Sequence, residues 1–197
     1  MPLLHCQKLT RDPWFRNLDF KLEAGQVRVI MGPSGSGKSL FLRSLADLDP
    51  VDAGQIWLEG CERGETSPGS WRRRVLYMHQ NSPRLPGKVL QNLRATEGPD
   101  PLPQSFNPFE LNYAQEAAEL SGGEAQMMAL TRALHTAPQV YLMDEATSAL
   151  DSKRALRVEA EMRQRLALGA AILWVTHDER IAERMGAEVL DFGALSR

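Results

Sequence analysis

The chain of 197 residues has few cysteines, few aromatic residues and no long apolar stretch. Its two cysteines, Cys6 and Cys61, do not have the spacing of a metal site, which indicates reduced thiols rather than a disulfide framework. No apolar run approaches the ~18 residues of a membrane-spanning helix, and the N-terminus does not resemble a signal peptide. A net charge of −2 gives no electrostatic argument for a nucleic-acid partner. The composition therefore predicts one soluble, cytoplasmic α/β domain.

The most informative stretch that the chain does contain is a glycine-rich run. It matches the phosphate-binding pattern G-x-x-x-x-G-K-[ST] without a departure. A buried strand is predicted before it, at Val27–Met31, and a helix after it. Its members are Gly32, Pro33, Ser34, Gly35, Ser36, Gly37, Lys38 and Ser39.

The chemistry of this run is that of a phosphate cradle. Glycines let successive backbone N–H groups curl round a phosphate, and the following helix N-terminus adds partial positive charge. Lys38 is expected to reach the β- and γ-phosphates, and the Ser39 hydroxyl to bind Mg²⁺. The run predicts that the chain binds a nucleoside triphosphate, and by itself it leaves the reaction open.

Strand-like and helical patterns alternate along most of the chain, which predicts a mostly parallel sheet covered by helices. The predicted strands are Val27–Met31, Val75–His79, Val140–Met143, Ala171–Thr176 and Glu188–Phe192, and the predicted helices are Leu40–Asp47, Glu124–His135 and Ser152–Ala167. Three earlier segments alternate as antiparallel strands do: Leu3–Leu9, Asn17–Leu22 and Gly54–Leu58. Residues 94–120 begin with a turn-rich stretch and are interpreted as a short helical insertion into one domain, whose core is 1–93 and 121–197.

Two adjacent carboxylates, Asp144 and Glu145, follow the apolar strand Val140–Met143. In isolation such a pair is as readily a solvated strand end as a functional site. Downstream of a phosphate loop, however, the carboxyl end of a parallel strand faces the nucleotide crevice. Asp144 is then expected to hold Mg²⁺, and Glu145 to act as the general base on the attacking water.

The sequence Leu120–Glu124 has the pattern of a capping box, because Ser121 is followed three residues later by Glu124. Gly122 and Gly123 are poor helix formers, costing about 1 kcal/mol each. One interpretation is an ordinary capped helix. The other is a helix N-terminus whose backbone N–H groups must approach an anion closely.

With these motifs together, the chain resembles the ATP-binding cassette (ABC) ATPases along essentially its whole length. Leu120–Glu124 is similar to the family's signature motif, and the resemblance implies that Ser121, Gly122 and Gly123 contact the ATP held by the opposite subunit. It further implies that Gln80 is the glutamine that senses Mg²⁺, that Asp151 lies at the dimer seam and that His177 contacts the γ-phosphate.

The resemblance also implies partners and a location. ABC ATPases act with ATP and Mg²⁺ as head-to-tail dimers, and a transport subunit of this kind works peripherally on the cytoplasmic face of the cell membrane with a separate permease. The compact length, the stretch Tyr77–Pro83 and the stretch Ile172–Asp178 look like the small Fet-type (YbbL-like) iron-export ATPases. Two alternatives stay open: a regulatory ABC ATPase that drives a cell-envelope machine, and a soluble ABC ATPase not linked to transport.

One part of the family pattern is missing from its usual place. Members carry an aromatic residue that stacks on adenine, some 20 or more residues before the phosphate loop, and the corresponding segment here is shortened. Trp14 or Phe15 is a candidate for that role, and both are also candidates for core residues, an interpretation favoured for Phe15.

Overall fold

The computed structural model describes residues 1–80, 82–94 and 106–195. Its elements in chain order are β1 (Leu4–Arg11), β2 (Phe15–Leu22), β3 (Val27–Met31), α1 (Lys38–Leu45), β4 (Ala53–Leu58), β5 (Cys61–Glu62), α2 (Pro68–Arg74), β6 (Val75–Met78), α3 (Val89–Arg94), α4 (Gly122–Thr136), β7 (Val140–Asp144), α5 (Ser152–Ala167), β8 (Ala171–Val175), α6 (Glu179–Met185), β9 (Glu188–Asp191) and α7 (Phe192–Leu195). Within these three ranges, no helix has the length and apolar character needed to cross a membrane.

The strands form two sheets of different type. The first sheet has four antiparallel strands in the order β2-β1-β4-β5. The second sheet has five parallel strands in the order β6-β7-β8-β3-β9. The predicted parallel core and the antiparallel N-terminal sheet are both confirmed. Because β3, β8 and β7 are neighbours, their carboxyl ends bring the phosphate loop, His177 and Asp144 to one edge of the sheet.

The parallel sheet is covered on both faces, and its strands β7 and β8 are buried along their whole length. In β7, Val140 and Leu142 pack into the apolar layer shared with the antiparallel sheet. Tyr141 and Met143 point to the opposite layer, formed with α4, α5 and α6. This packing on both faces fixes β7 along the strand direction, and it therefore fixes the position of Asp144 at the carboxyl end of the strand.

Several elements begin or end a little away from their predicted limits. Helix α1 begins at Lys38 rather than Leu40, because Gly37 precedes it as a left-handed cap with φ 98°. Helix α4 begins at Gly122, two residues before the helical pattern Glu124–His135, as the predicted capping box at Ser121 implies. Strands β6 and β8 each end one residue earlier than predicted, which leaves Gln80 and His177 on the loops that follow them.

The described part of the predicted helical insertion, residues 106–120, contains turns and one 3-10 turn at Ala117–Glu119, and its neighbouring α-helix, α3, lies just before it. Asn107 explains part of this difference. Its side chain accepts a hydrogen bond from the Leu111 N–H at 2.8 Å and donates one to the Leu111 carbonyl at 2.9 Å. Such side-chain bonds compete with the helical ladder. Residues 95–105 of the predicted insertion lie outside the described residues.

Candidate active site

The phosphate loop connects β3 to α1 through three glycines with positive φ, of which Gly32 has φ 149°. Gly35 has φ 77° and Gly37 has φ 98°, a region that residues with a Cβ seldom adopt. Gly37 also lies against Trp14, since a Cβ built on it would be 3.0 Å from the Trp14 Cβ. Both the backbone conformation and the close approach therefore require glycine at position 37.

Lys38 lies inside this loop and is only 6% exposed. Its ammonium donates hydrogen bonds to the carbonyls of Gly32 and Pro33, each at 2.8 Å. Burial lowers the pKa of Lys38, while the nearby carboxylates of Glu145 and Asp144 act in the opposite direction and favour the charged form. The two hydrogen bonds hold the Lys38 ammonium at the base of the loop and leave one of its three donors for a phosphate oxygen.

The start of α1 has the features of a phosphate site. Gly37 has no side chain that could cap the helix, so the first N–H groups of α1 find no side-chain acceptor there. The Ser36 hydroxyl is buried, and no group in the described parts of the chain accepts or donates a hydrogen bond to it. A triphosphate would supply acceptors for all of these donors, and the residues present fit this group.

Asp144 is the last residue of β7 and is held from one side. The Tyr77 hydroxyl, on the neighbouring strand β6, donates a hydrogen bond to Asp144 Oδ2 at 2.7 Å. Asp144 and Ser39 line the same cavity. In the described ranges no three His, Cys, Asp or Glu side chains gather into a metal-holding group. A few protein oxygens fit Mg²⁺, which takes its remaining ligands from water and substrate phosphates.

Glu145 follows Asp144 with a left-handed backbone, φ 49°, which is uncommon for a residue other than glycine. Its carboxylate has a partner at each oxygen: Gln80 Nε2 donates to Oε2 at 3.2 Å, and His177 Nε2 lies 3.1 Å from Oε1. The turn is fixed from both sides, because the Glu145 N–H donates to the carbonyl of Val175 and its own carbonyl accepts from Ser148. The carboxylate is therefore held in one orientation at the sheet edge.

These groups surround a cavity of 310 Å³. It is lined by Trp14, residues 34–40, Asp144, Glu145, Val175 and His177. Of the two aromatic candidates for adenine stacking, Phe15 is only 1% exposed and packs edge-to-face on Phe41 and Phe192, so its interpretation as a core residue is confirmed. Trp14 is 41% exposed and borders the cavity.

Ser121 and its two glycines do not line this cavity. The capping box is present: the Ser121 hydroxyl accepts from the Glu124 N–H at 3.3 Å, and a Glu124 carboxylate oxygen accepts from the Ser121 N–H at 2.9 Å. The two glycines differ. A Cβ on Gly122 would meet open space, whereas a Cβ on Gly123 would lie 3.2 Å from the Ala149 carbonyl. Gly123 is thus needed for packing within the chain, and Gly122 leaves an open backbone surface at the helix N-terminus.

Asp151 also lies away from the cavity, as the N-cap of α5. Its side chain accepts a hydrogen bond from the Arg154 N–H at 2.9 Å and is exposed. Of the residues that the sequence singled out, the structure brings the phosphate loop, Asp144, Glu145 and His177 together, with Gln80 against Glu145. It keeps Ser121, Gly122, Gly123 and Asp151 apart from them.

Sequence reasoning missed Tyr77 as a partner of Asp144. The two residues are 67 positions apart, and no motif includes both. The sequence offered only a weak signal: Tyr77 is the one hydroxyl-bearing residue of the predicted strand Val75–His79, and nothing in the sequence places that strand beside β7.

A parallel sheet whose strand ends gather a phosphate loop, two carboxylates and a histidine defines a phosphate-loop nucleoside triphosphatase. The family model described as ABC transporter matches residues 15–148, and the chain belongs to this family. It is an ATPase.

Similar proteins agree with this family. The chain is 37% identical over 175 residues to the probable iron export ATP-binding protein FetA of Escherichia coli (strain K12), covering 83% of this chain and 77% of FetA. It is 31% identical over 223 residues to the lipoprotein-releasing system ATP-binding protein LolD of Idiomarina loihiensis, covering 99% of this chain and 97% of LolD. A solved ATP-binding subunit of an ABC transporter superposes with a TM-score of 0.85 at 22% identity, covering 97% of this chain and 87% of that one, which shows the shared fold.

Proposed function

We propose that this ATPase binds Mg²⁺-ATP in the 310 Å³ cavity and hydrolyses it with Glu145 as the general base. The observation that carries the proposal is the orientation of the Glu145 carboxylate between Gln80 and His177, in the cavity that also holds Lys38. A base of this kind must point at the attacking water in line with the γ-phosphate. The two contacts support that orientation.

Each remaining residue has a role in binding. The loop N–H groups and the Lys38 ammonium bind the phosphates, and Ser39, Asp144 and Gln80 hold Mg²⁺, which neutralises charge on the β- and γ-phosphate oxygens when it is bound. His177 contacts the γ-phosphate with its exposed ring. Trp14 stacks on adenine, supported by its place beside Gly37 at the rim of the cavity.

The working form we propose is a head-to-tail dimer with two ATP molecules between the subunits. Ser121, Gly122 and Gly123 of one copy close over the ATP held by the other, and Asp151 lies at the seam between them. The open surface at Gly122 and the exposed position of Asp151 support this arrangement. ATP draws the copies together because its phosphates meet N–H groups from both, and hydrolysis followed by phosphate release reopens the dimer.

A groove of 620 Å³ supports docking of a permease. It lies next to the loop that carries Gln80, and its wall includes the exposed apolar side chain of Leu48 together with Met78 and Pro83. An apolar segment of a membrane subunit would bury the exposed side chains of Leu48 and Pro83. Docking at this groove would hold the ATPase peripherally at the cytoplasmic face of the membrane. The proposal includes no nucleic-acid partner.

The cargo of the proposed transporter is a metal, with iron as the first candidate, because FetA is described as an iron export protein. The second candidate function is to drive a cell-envelope machine. It is favoured by the similarity to the lipoprotein-releasing system protein LolD, which extends over nearly the whole chain. Purifying the tagged chain from membranes and identifying the subunit that stays bound decides between them. A partner with no permease-like segments would count against the first candidate, and no membrane partner at all against both.

The catalytic assignment is tested with Glu145→Gln. We expect ATP hydrolysis to fall by at least ~100-fold, while dimerisation with ATP, measured by light scattering during size exclusion, is retained. Glu161→Gln, on α5 away from the cavity, is the matched control and is expected to hydrolyse ATP normally. Lys38→Ala is expected to lose ATP binding in calorimetry. Wild-type hydrolysis by Glu145→Gln would exclude Glu145 as the base.

A further inference from the structure

Tyr77 has a contact on the Mg²⁺ side of the candidate site that no motif assigns. It lies on β6 beside β7, in the register that pairs Tyr77 with Leu142, and its hydroxyl donates to Asp144 Oδ2 at 2.7 Å. Asp144 is only 7% exposed. This bond leaves Oδ1 as the other Asp144 oxygen available to a ligand.

The hydroxyl of Tyr77 is well suited to be a permanent donor. A tyrosine phenol carries its proton at neutral pH, so the Tyr77 hydroxyl can donate to Asp144 Oδ2. Arg43 is fixed by a two-pronged ion pair with Asp49, at 2.6 and 2.9 Å. Arg43 and Tyr77 line the same groove, so a fixed side chain borders Tyr77 there.

Tyr77 is also shared between two cavities. Its side chain borders the 620 Å³ groove with Arg43 and Leu48, while its hydroxyl reaches the carboxylate that lines the 310 Å³ nucleotide cavity. In the described part of the chain, the Tyr77–Asp144 bond is a direct side-chain contact between the groove wall and the acidic group expected to bind Mg²⁺.

We propose that Tyr77 is a positioning residue that holds the Asp144 carboxylate in the orientation that binds Mg²⁺. This rests on the proposed function, because it assumes that Asp144 holds the ion. Without the donor, a nearly buried carboxylate loses its hydrogen bond and turns toward other partners, so that it must be reoriented whenever Mg²⁺ binds. Hydrogen bonds to charged groups are strong enough to change such an equilibrium by about tenfold or more.

The test compares Tyr77→Phe with the wild-type chain by calorimetry, using a non-hydrolysable ATP analogue with and without Mg²⁺. For Tyr77→Phe we expect the Mg²⁺ concentration at half-saturation to rise about tenfold, and the affinity for the analogue without Mg²⁺ to stay unchanged. In ATPase assays kcat is expected to fall while KM for ATP changes little. Tyr141→Phe is the matched control, because its buried hydroxyl has no hydrogen-bond partner in the described residues, and it is expected to keep wild-type Mg²⁺ dependence.

The outcomes separate this inference from the proposed function. If the wild-type chain binds the analogue with Mg²⁺ and Tyr77→Phe has the same Mg²⁺ dependence, Tyr77 only packs and the inference fails alone. Equal losses with and without Mg²⁺, or a melting temperature well below that of Tyr141→Phe, would indicate a general structural role and also overturn it. If the wild-type chain does not bind the analogue at all, the proposed function fails as well.

Discussion

Trp14 provides a sharp test of how this chain recognises its nucleotide, because its aromatic side chain borders the candidate nucleotide cavity. The side chain is packed on Gly37 on one side and 41% exposed on the other. The exposed part faces the cavity lined by the phosphate loop. Removing the side chain with Trp14→Ala should therefore weaken the binding of the adenine base and leave the binding of the phosphates almost unchanged.

The expected magnitude follows from stacking. A base stacked on an aromatic side chain contributes about 1–3 kcal/mol, and Trp14 offers only part of its surface, so the lower half of this range applies. A loss of ~1.5 kcal/mol corresponds to an affinity for ATP about tenfold weaker. Trp14→Phe, which keeps a smaller aromatic ring, should lose less than Trp14→Ala.

The assay is calorimetry with two ligands, Mg²⁺-ATP and Mg²⁺-tripolyphosphate. Trp14→Ala should weaken ATP binding about tenfold and leave tripolyphosphate binding within the experimental error. Trp57→Ala is a suitable control, because Trp57 stacks on His5 in the antiparallel sheet away from the cavity. Equal losses for both ligands would refute the stacking argument, since Trp14 would then support the loop through Gly37 rather than contact adenine.

Two further substitutions test the packing that supports the site. Gly37→Ala would place a Cβ on a left-handed backbone and close to Trp14, whereas Gly169, with a similar φ of 91°, has no neighbour within 4 Å. Both substitutions should lower the free energy of unfolding in urea by about 1–2 kcal/mol. Only Gly37→Ala should also lower the affinity for ATP in calorimetry. Arg184→Met removes the two hydrogen bonds of the fully buried Glu159 carboxylate, at 2.6 and 2.8 Å, and leaves it the longer ion pair with Arg163 at 3.8 Å; it should cost up to about 3 kcal/mol. Glu159→Met leaves two partly exposed arginines that can turn to water, so it should cost clearly less; equal losses in urea unfolding would contradict this asymmetry.

The sequence predicted the parts of this fold that depend on short patterns. The glycine-rich run predicted both flanking elements, and the alternation of apolar runs predicted the parallel sheet, because the residues of β7 and β8 are buried on both faces. The limits of elements were less accurate where a cap decides them. Helix α1 begins at Lys38, two residues before the predicted Leu40, after the left-handed cap at Gly37, and the Asn107 side chain favours a turn in a segment expected to be helical.

The contacts that orient the site were beyond such patterns. Tyr77 and Asp144 meet only because β6 pairs with β7, a pairing between segments far apart in the chain. The close approach of Gly123 to Ala149 likewise depends on how α4 packs against the loop before α5. Both contacts belong to the tertiary arrangement, so the sequence could suggest the residues involved but not their partners.

The backbone of Glu145 shows why the substitution to glutamine is a clean test of its chemistry. A left-handed conformation at a residue other than glycine costs about 1–3 kcal/mol and persists only when its surroundings hold it. Here the Glu145 N–H bonds to the Val175 carbonyl at 2.9 Å, and Ser148 bonds back to the Glu145 carbonyl at 2.9 and 3.0 Å. None of these bonds involves the side chain, so Glu145→Gln keeps the turn; it removes the negative charge and replaces one of the two oxygens that face Gln80 and His177 by an amide nitrogen. A loss of hydrolysis in that variant would therefore report the carboxylate itself rather than a collapse of the loop that presents it.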